Sequence, residues 1–191
     1  MTATGDAGAI GDVSATLADV LEAGIGIDQL DVVVTSPDEV TGSGSPTVGL
    51  FLYDVSESPH ESTLQREEVD TGTDRLAPLV VDLHYLVTAY PSGSGNDTQK
   101  AQRAHGLLGE AMWALRGDAV VRGSALRGSL DGELRISRGE PEDVIMDVWN
   151  TFPDTSYLPS VAYTVGPVAL DAGEPAPVDR VESVTLRGDD G

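Results

Sequence analysis

The longest alternating run in the chain is P-L-V-V-D-L-H-Y-L-V-T-A-Y-P, over residues 78–91. Side chains alternate across a strand with period two. Leu79, Val81, Leu83, Tyr85, Val87 and Ala89 therefore share one wholly apolar face. Val80, Asp82, His84, Leu86, Thr88 and Tyr90 share the other, which is mixed. Such a strand belongs inside a sheet, with one face on the core and the other partly covered. Pro78 and Pro91 bound it, because proline has no N–H to give to a ladder.

The remaining elements are placed around that strand. Ile10, Val13, Leu17, Val20 and Leu21 recur at helical spacing, so residues 10–23 read as an amphipathic helix with Asp12, Asp19 and Glu22 outside and Gly24 as its stop. Residues 25–30 read as a linker and 31–36 as a short strand. After a loop over 40–46, residues 47–55 form a second strong strand. Its alternation puts Val48, Leu50, Leu52 and Asp54 on one face. Residues 56–63 read as a loop, 64–69 as a weak strand or loop arm, and 70–75 as a turn. A helix follows over 98–116, capped by Asn96, Asp97 or Thr98. Leu107, Leu108, Ala111, Met112 and Leu115 are its inner face. Residues 119–130 are ambiguous, and 133–138 alternate like an edge strand. Glu140-Pro141-Glu142-Asp143 opens a short helix, with acids in the first turn as the helix dipole favours. Val144, Ile145, Val148, Trp149 and Phe152 form its apolar face. Residues 157–170 give a last long strand, 171–179 a linker, and 180–186 one more strand, with 187–191 loose. Helices and strands in this order predict an α+β fold, with a mainly antiparallel sheet flanked by helices. The expected organisation is a single domain over 1–170 with an extended C-terminal arm over 171–191.

Charge bounds the setting. The 191 residues carry 32 acids against 11 bases, a formal net charge of -21, and Lys100 is the one lysine. The acids are dispersed along the chain. In dilute buffer this self-repulsion opposes the compact state. At molar salt the screening length falls to about 3 Å and the repulsion largely vanishes. The composition predicts a halophilic, acidic-proteome cytosol; the rival is an acidic protein made for a basic partner. A nucleic-acid ligand is not expected without a basic footprint. The absence of cysteine excludes disulfides and thiolate metal sites. No Lys or Arg precedes Arg66, and no apolar run is long enough for a membrane span. The expectation is a protein made without a signal peptide, in the cytoplasm.

Little in the sequence points to bond-making. His60, His84 and His105 are not in metal-ligand spacing. Asp82 and His84 share a strand face, so a carboxylate–imidazole pair is a candidate base, but no G-x-S-x-G elbow accompanies it. The glycine-rich stretches at 42–45 and 93–95 lack the G-K-[ST] of a phosphate loop. The acidic clusters at 67–70 and 140–143 lack calcium-loop spacing. Trp113 and Trp149 each fall in a predicted helix, where core packing is expected. No catalytic, cofactor or metal residue is assigned.

One segment departs from the acidic background. Arg116, Arg122, Arg127, Arg135 and Arg138 lie within 116–138, against Asp118, Asp131 and Glu133. Arginine suits forked pairing with carboxylates at interfaces. These five are the candidate interface residues, expected to meet an acidic surface of a neighbouring subunit. The Asp12/Asp19/Glu22 face of an identical copy is one such surface. An ordinary solvent-facing arginine set is the alternative.

The order of motifs resembles a known family. It comprises the helix I-x-x-V-x-x-x-L from Ile10, then V-G-L-F-L-Y from Val48. After these come L-x-Y-L-x-T-A-Y within 78–91, L-L-G-x-A-M from Leu107, and Trp149 followed by 157–165 with Ala162-Tyr163. Together they resemble the tube-terminator or cap proteins of phage-tail-like contractile injection systems of the antifeeding-prophage type. That family often carries an asparagine after the Leu-Tyr strand, where this chain has Ser56-Glu57-Ser58. The resemblance implies the fold of phage tail terminators and no cofactor. It also implies a ring, six-membered in the family, that ends the inner tube and anchors the last sheath ring of a released or cytoplasmic particle. The partners implied are further copies, the tube protein and the sheath protein. Rival readings are another tube, sheath or baseplate subunit, or a small hydrolase using Asp82 and His84.

Overall fold

The computed structural model describes residues 2–40, 44–58, 66–70, 73–139, 142–171 and 176–177. Readings that fall elsewhere, including His60, Glu140, Pro141 and the strand over 180–186, lie outside the described residues. The strands are β1 (Ala3–Gly5), β2 (Asp31–Val34), β3 (Thr47–Glu57), β4 (Arg66–Asp70), β5 (Thr73–Leu76) and β6 (Leu79–Tyr90). They continue with β7 (Val120–Arg122), β8 (Glu133–Arg138), β9 (Ser160–Leu170) and β10 (Ala176–Pro177). The helices are α1 (Ala9–Gly24), α2 (Asp97–Gly117) and α3 (Glu142–Asn150). The main sheet runs β2-β3-β6-β9-β8-β7, with β1 beside β9; a small sheet runs β10-β5-β4. The β2/β3 and β1/β9 pairs are parallel and all others antiparallel. The fold is the expected α+β one, mainly antiparallel and flanked by helices.

β6 is central, laddered to β3 and β9, and both prolines sit just outside it. Val81, Leu83, Tyr85, Val87 and Ala89 are buried on the predicted face. Leu79 is not, at 49% exposed. The register slips between Val81 and Leu83, where Asp82 alone faces Gly166 and Pro167 of β9. The extra residue is thus on β9, which bends there, while the alternation of β6 continues through Val81. A Cβ on Gly166 would lie 2.5 Å from Asp82 Oδ1 and 3.1 Å from Val81 O, so a side chain there would have to displace that carboxylate. β3 slips likewise between Leu52 and Asp54. Tyr53 is the extra residue. Asp54 therefore pairs with His84, on the face away from the core where simple alternation would have placed it.

α1 and α2 cover the apolar face. Val13, Leu17 and Leu21 meet Leu107, Ala111 and Leu115 over the sheet, all buried. The helices approach closely at Gly24, where a Cβ would come within 2.5 Å of Ala114 Cβ. α2 starts on a capping box: Gln99 N donates to Asn96 Oδ1 (2.9 Å) and Asn96 N to Gln99 Oε1 (3.1 Å). On the opposite face, Trp149 of α3 is buried, and so are Leu86 and Ala162, paired across β6 and β9. Its indole N–H donates to Ser160 Oγ (3.2 Å), which also meets Thr88 Oγ1 (2.8 Å). Phe152 packs edge-on against Phe51, with centroids 5.6 Å apart.

Four readings are revised. β1 lacks a sequence signature and forms by pairing with β9. β8 is one strand in from the edge, because the ambiguous segment supplies β7 and a 3-10 turn over Gly123–Ala125. The arm and turn over 64–75 are largely a hairpin of β4 and β5. Trp113, expected in the core, is 73% exposed.

Candidate interaction surface

The five arginines are dealt to four places. Arg122 of β7 and Arg135 of β8 stand on the sheet face away from α1 and α2, since their neighbours Val121 and Leu134 are buried on the core side. Glu133 lies between them, cross-strand from Arg122. Its Oε2 accepts from Arg122 Nε (2.8 Å) and Nη2 (2.5 Å), and its Oε1 is 2.6 Å from Arg135 Nη2 without hydrogen-bond geometry. The Glu133 side chain is 9% exposed, against 65% for Arg122 and 60% for Arg135. The hydrogen bond from Arg122 therefore holds the Glu133 carboxyl below the usual carboxylate range, against the effect of burial. Two cations share one anion, so positive charge remains at the surface. Sequence reasoning missed Glu133 as their partner; its signal was an acid alternating with Arg135 in a strand.

Arg127 is elsewhere. The loop carrying it is tied to α1 of its own chain. Arg127 N donates to Thr16 Oγ1 (3.0 Å), and Ser129 N to Asp12 Oδ2 (2.8 Å). The Arg127 guanidinium pairs with Asp19. The acidic face of α1, considered above as a surface for a second copy, thus receives Arg127 and Ser129 from within the chain. Arg116 lies in the last turn of α2, where the helix dipole favours a cation. Arg138 ends β8. Among the described residues, neither has an ion-pair partner.

The Asp82–His84 pair does not form. His84 Nε2 lies 2.8 Å from Ser56 Oγ, and Nδ1 lies 3.3 Å from Thr164 Oγ1. Both ring nitrogens are thus engaged by hydroxyls of the flanking strands, while the Asp82 carboxylate turns over Gly166. Among the described residues, no three His, Asp or Glu side chains gather as a metal set. Nor, among the described residues, is any helix long and apolar enough to cross a membrane. A hollow of about 300 Å³ lies between Ile27, Pro46, Tyr90 and Leu107, with Arg103 and Glu110 at its rim. Arg103 is committed there to backbone carbonyls, donating to Ser92 O (2.9 Å) and Ser94 O (2.7 Å).

No curated protein sequence matches the chain. Among the solved structures that share its fold, two are informative. The first is described as the sheath/tube terminator, in the extended state, of an extracellular contractile injection system, PVC. It superposes with a TM-score of 0.59 at 17% identity, over 95% of this chain and 64% of that one. The second is the tube-terminating cap of the anti-feeding prophage, with a TM-score of 0.56 at 17% identity, over 93% of this chain and 61% of that one. The chain thus spans under two thirds of either neighbour's length. At sequence level, residues 12–183 match the family described as the Pvc16 N-terminal domain, from α1 through the last strand, and the chain belongs to that family.

Proposed function

We propose that this chain is a structural cap, which ends the inner tube and anchors the last sheath ring of a contractile injection particle. It acts as a ring of identical copies, six by family likeness. Its partners are those copies, the tube protein and the sheath protein. It uses no cofactor, nucleic acid or membrane, and makes no bonds. The particle assembles in the cytoplasm, a salt-rich one given the charge, and is then retained or released. Residues 1–170 act as one terminator domain and 171–191 as an extended arm. In support, a single sheet links Ala3 to Leu170.

The observation that carries this reading is the fold match along 95% of the chain to a protein described as a sheath/tube terminator. The engagement of His84 by two hydroxyls speaks against the hydrolase reading. The test is electron microscopy of particles from cells lacking the chain. Tubes of uncontrolled length and sheaths that detach at one end are expected. Tubes of normal length with intact sheaths would reject the cap role and favour another subunit of the particle.

A further inference from the structure

We infer that copies of this chain join head to tail by parallel pairing of β7 of one copy with β2 of the next. The inference rests on the ring reading above and supplies its contact. β2 and β7 are the two ends of the main sheet. Among the described residues, no other strand or backbone hydrogen bond takes up their outer sides. Val34 is 49% exposed and Val120 39%. An uncapped strand edge is a template for another chain.

Charge selects which edges meet. β2 begins at exposed Asp31, flanked by Asp28, Asp38 and Glu39, and no Lys or Arg precedes Arg66. β7 ends at exposed Arg122, with Arg135 on the next strand and Arg116 just before it, against Asp118 and Glu133. A β2–β2 contact brings two acidic edges together, and a β7–β7 contact two arginine-bearing ones; like charge gathered at one seam opposes pairing. Only the mixed contact joins opposite signs. The faces agree as well. Val32 packs against the core and Val121 is buried, so Asp31 and Val33 share the outer sheet face with Val120 and Arg122.

Topology fixes the direction. β2 runs with β3, and the path through β6, β9, β8 and β7 then reverses at each of four antiparallel steps. β2 and β7 therefore run the same way. Six strands at about 4.8 Å spacing hold the edges roughly 24 Å apart, so they cannot meet within one chain. Where the ring axis runs along the strands, rotation keeps their direction and the junction is parallel. It uses two different surfaces and closes into a ring when its rotation permits. Each junction is short, and closure makes every copy held twice.

The chain has no cysteine, which makes crosslinking specific. V33C and V120C are prepared separately in the full chain at molar salt and treated with a short bis-maleimide. The mixture is expected to give crosslinked pairs at least tenfold above either variant alone, and the V33C/V120C double variant a ladder ending in one closed species. In the V33C/V120C mixture, placing D31R on the V33C chain should cut the yield about tenfold, and R122E on the V120C chain should restore it. Thermal melts establish that each variant folds. Crosslinking by one variant alone would overturn the inference in favour of a symmetric contact. A large oligomer without crosslinks in the mixture would overturn it while leaving the ring reading standing. A strict monomer without crosslinks would remove both.

Discussion

Glu133 concentrates the residue-scale electrostatics, as a mostly buried carboxylate held by Arg122 and approached by Arg135. Its folded pKa lies below the ordinary 4.5. A depressed carboxylate pKa contributes stability that is present above the unfolded value and lost as pH falls through the folded one. Thermal melts of wild type and E133Q should therefore differ most near neutral pH, with wild type more stable, and converge as pH falls from the ordinary carboxylate range through the lowered pKa of Glu133. An equal gap at pH 3 would show that ionisation of Glu133 is not what matters. Tyrosines set the opposite limit. Burial pushes Tyr85 up to about 12, with a smaller opposing effect from Ser14; burial and then Asp38 push Tyr90 to about 12. A raised phenol contributes stability that is full below pH 10 and drains away as pH rises towards 12. Ultraviolet titration should find these two among the last of the five tyrosines to ionise, and Y85F should flatten the alkaline loss. At neutral pH, Y85F should cost about 0.5–1.5 kcal/mol, because only the 2.8 Å bond to Ser14 is lost and Ser14 keeps Ile10 O. Trp113 shows the limit of residue type alone: tryptophan tends to bury, but position 113 lies off the inner face of α2, and the residue is 73% exposed.

At the scale of elements, legibility followed period and length. β6 was readable because twelve residues alternate between two prolines. α1, α2 and α3 were readable from apolar spacing and caps. β1 and β7, three residues each, carry no pattern; their neighbours β9 and β8 impose them. The bulges at Tyr53 and at Gly166–Pro167, opposite Asp82, were equally hidden, since a slip in register is a property of two strands and not of one. Element boundaries offer direct tests. N96A should lower stability by about 0.5–2 kcal/mol through loss of the α2 cap, measured by urea unfolding. G24V should cost about 1–3 kcal/mol, because its side chain would enter the space of Ala114 where α1 meets α2. If G24V melts like wild type, the helices can separate freely and the close approach is not structural.

For the whole molecule, the net charge of -21 acts on everything at once. Passing from about 0.1 M to 1 M salt shrinks the screening length from about 10 Å to 3 Å. The exposed Arg127–Asp19 pair weakens under the same screening, but acids outnumber bases 32 to 11, so repulsion relief dominates. Calorimetry should show the melting temperature rising steadily over that range; a flat or falling curve would refute a salt-rich setting. Family and fold were legible because the L-x-Y-L-x-T-A-Y run and the motifs around it survive as sequence. The arginine surface was legible only as composition. Whether Arg127 reaches Asp19 of its own chain or of another depends on where a loop folds back, and spacing does not encode that. Connectivity carries one more consequence. The β4–β5 hairpin is inserted between the end of β3 and the start of β6, the two best-anchored strands of the sheet. Whatever grips that hairpin pulls lengthwise on both, and the rungs joining them to β2 and β9 bear the load side by side instead of unzipping one at a time. The chain thus has a built-in tow-bar: a pull applied there loads the sheet in shear.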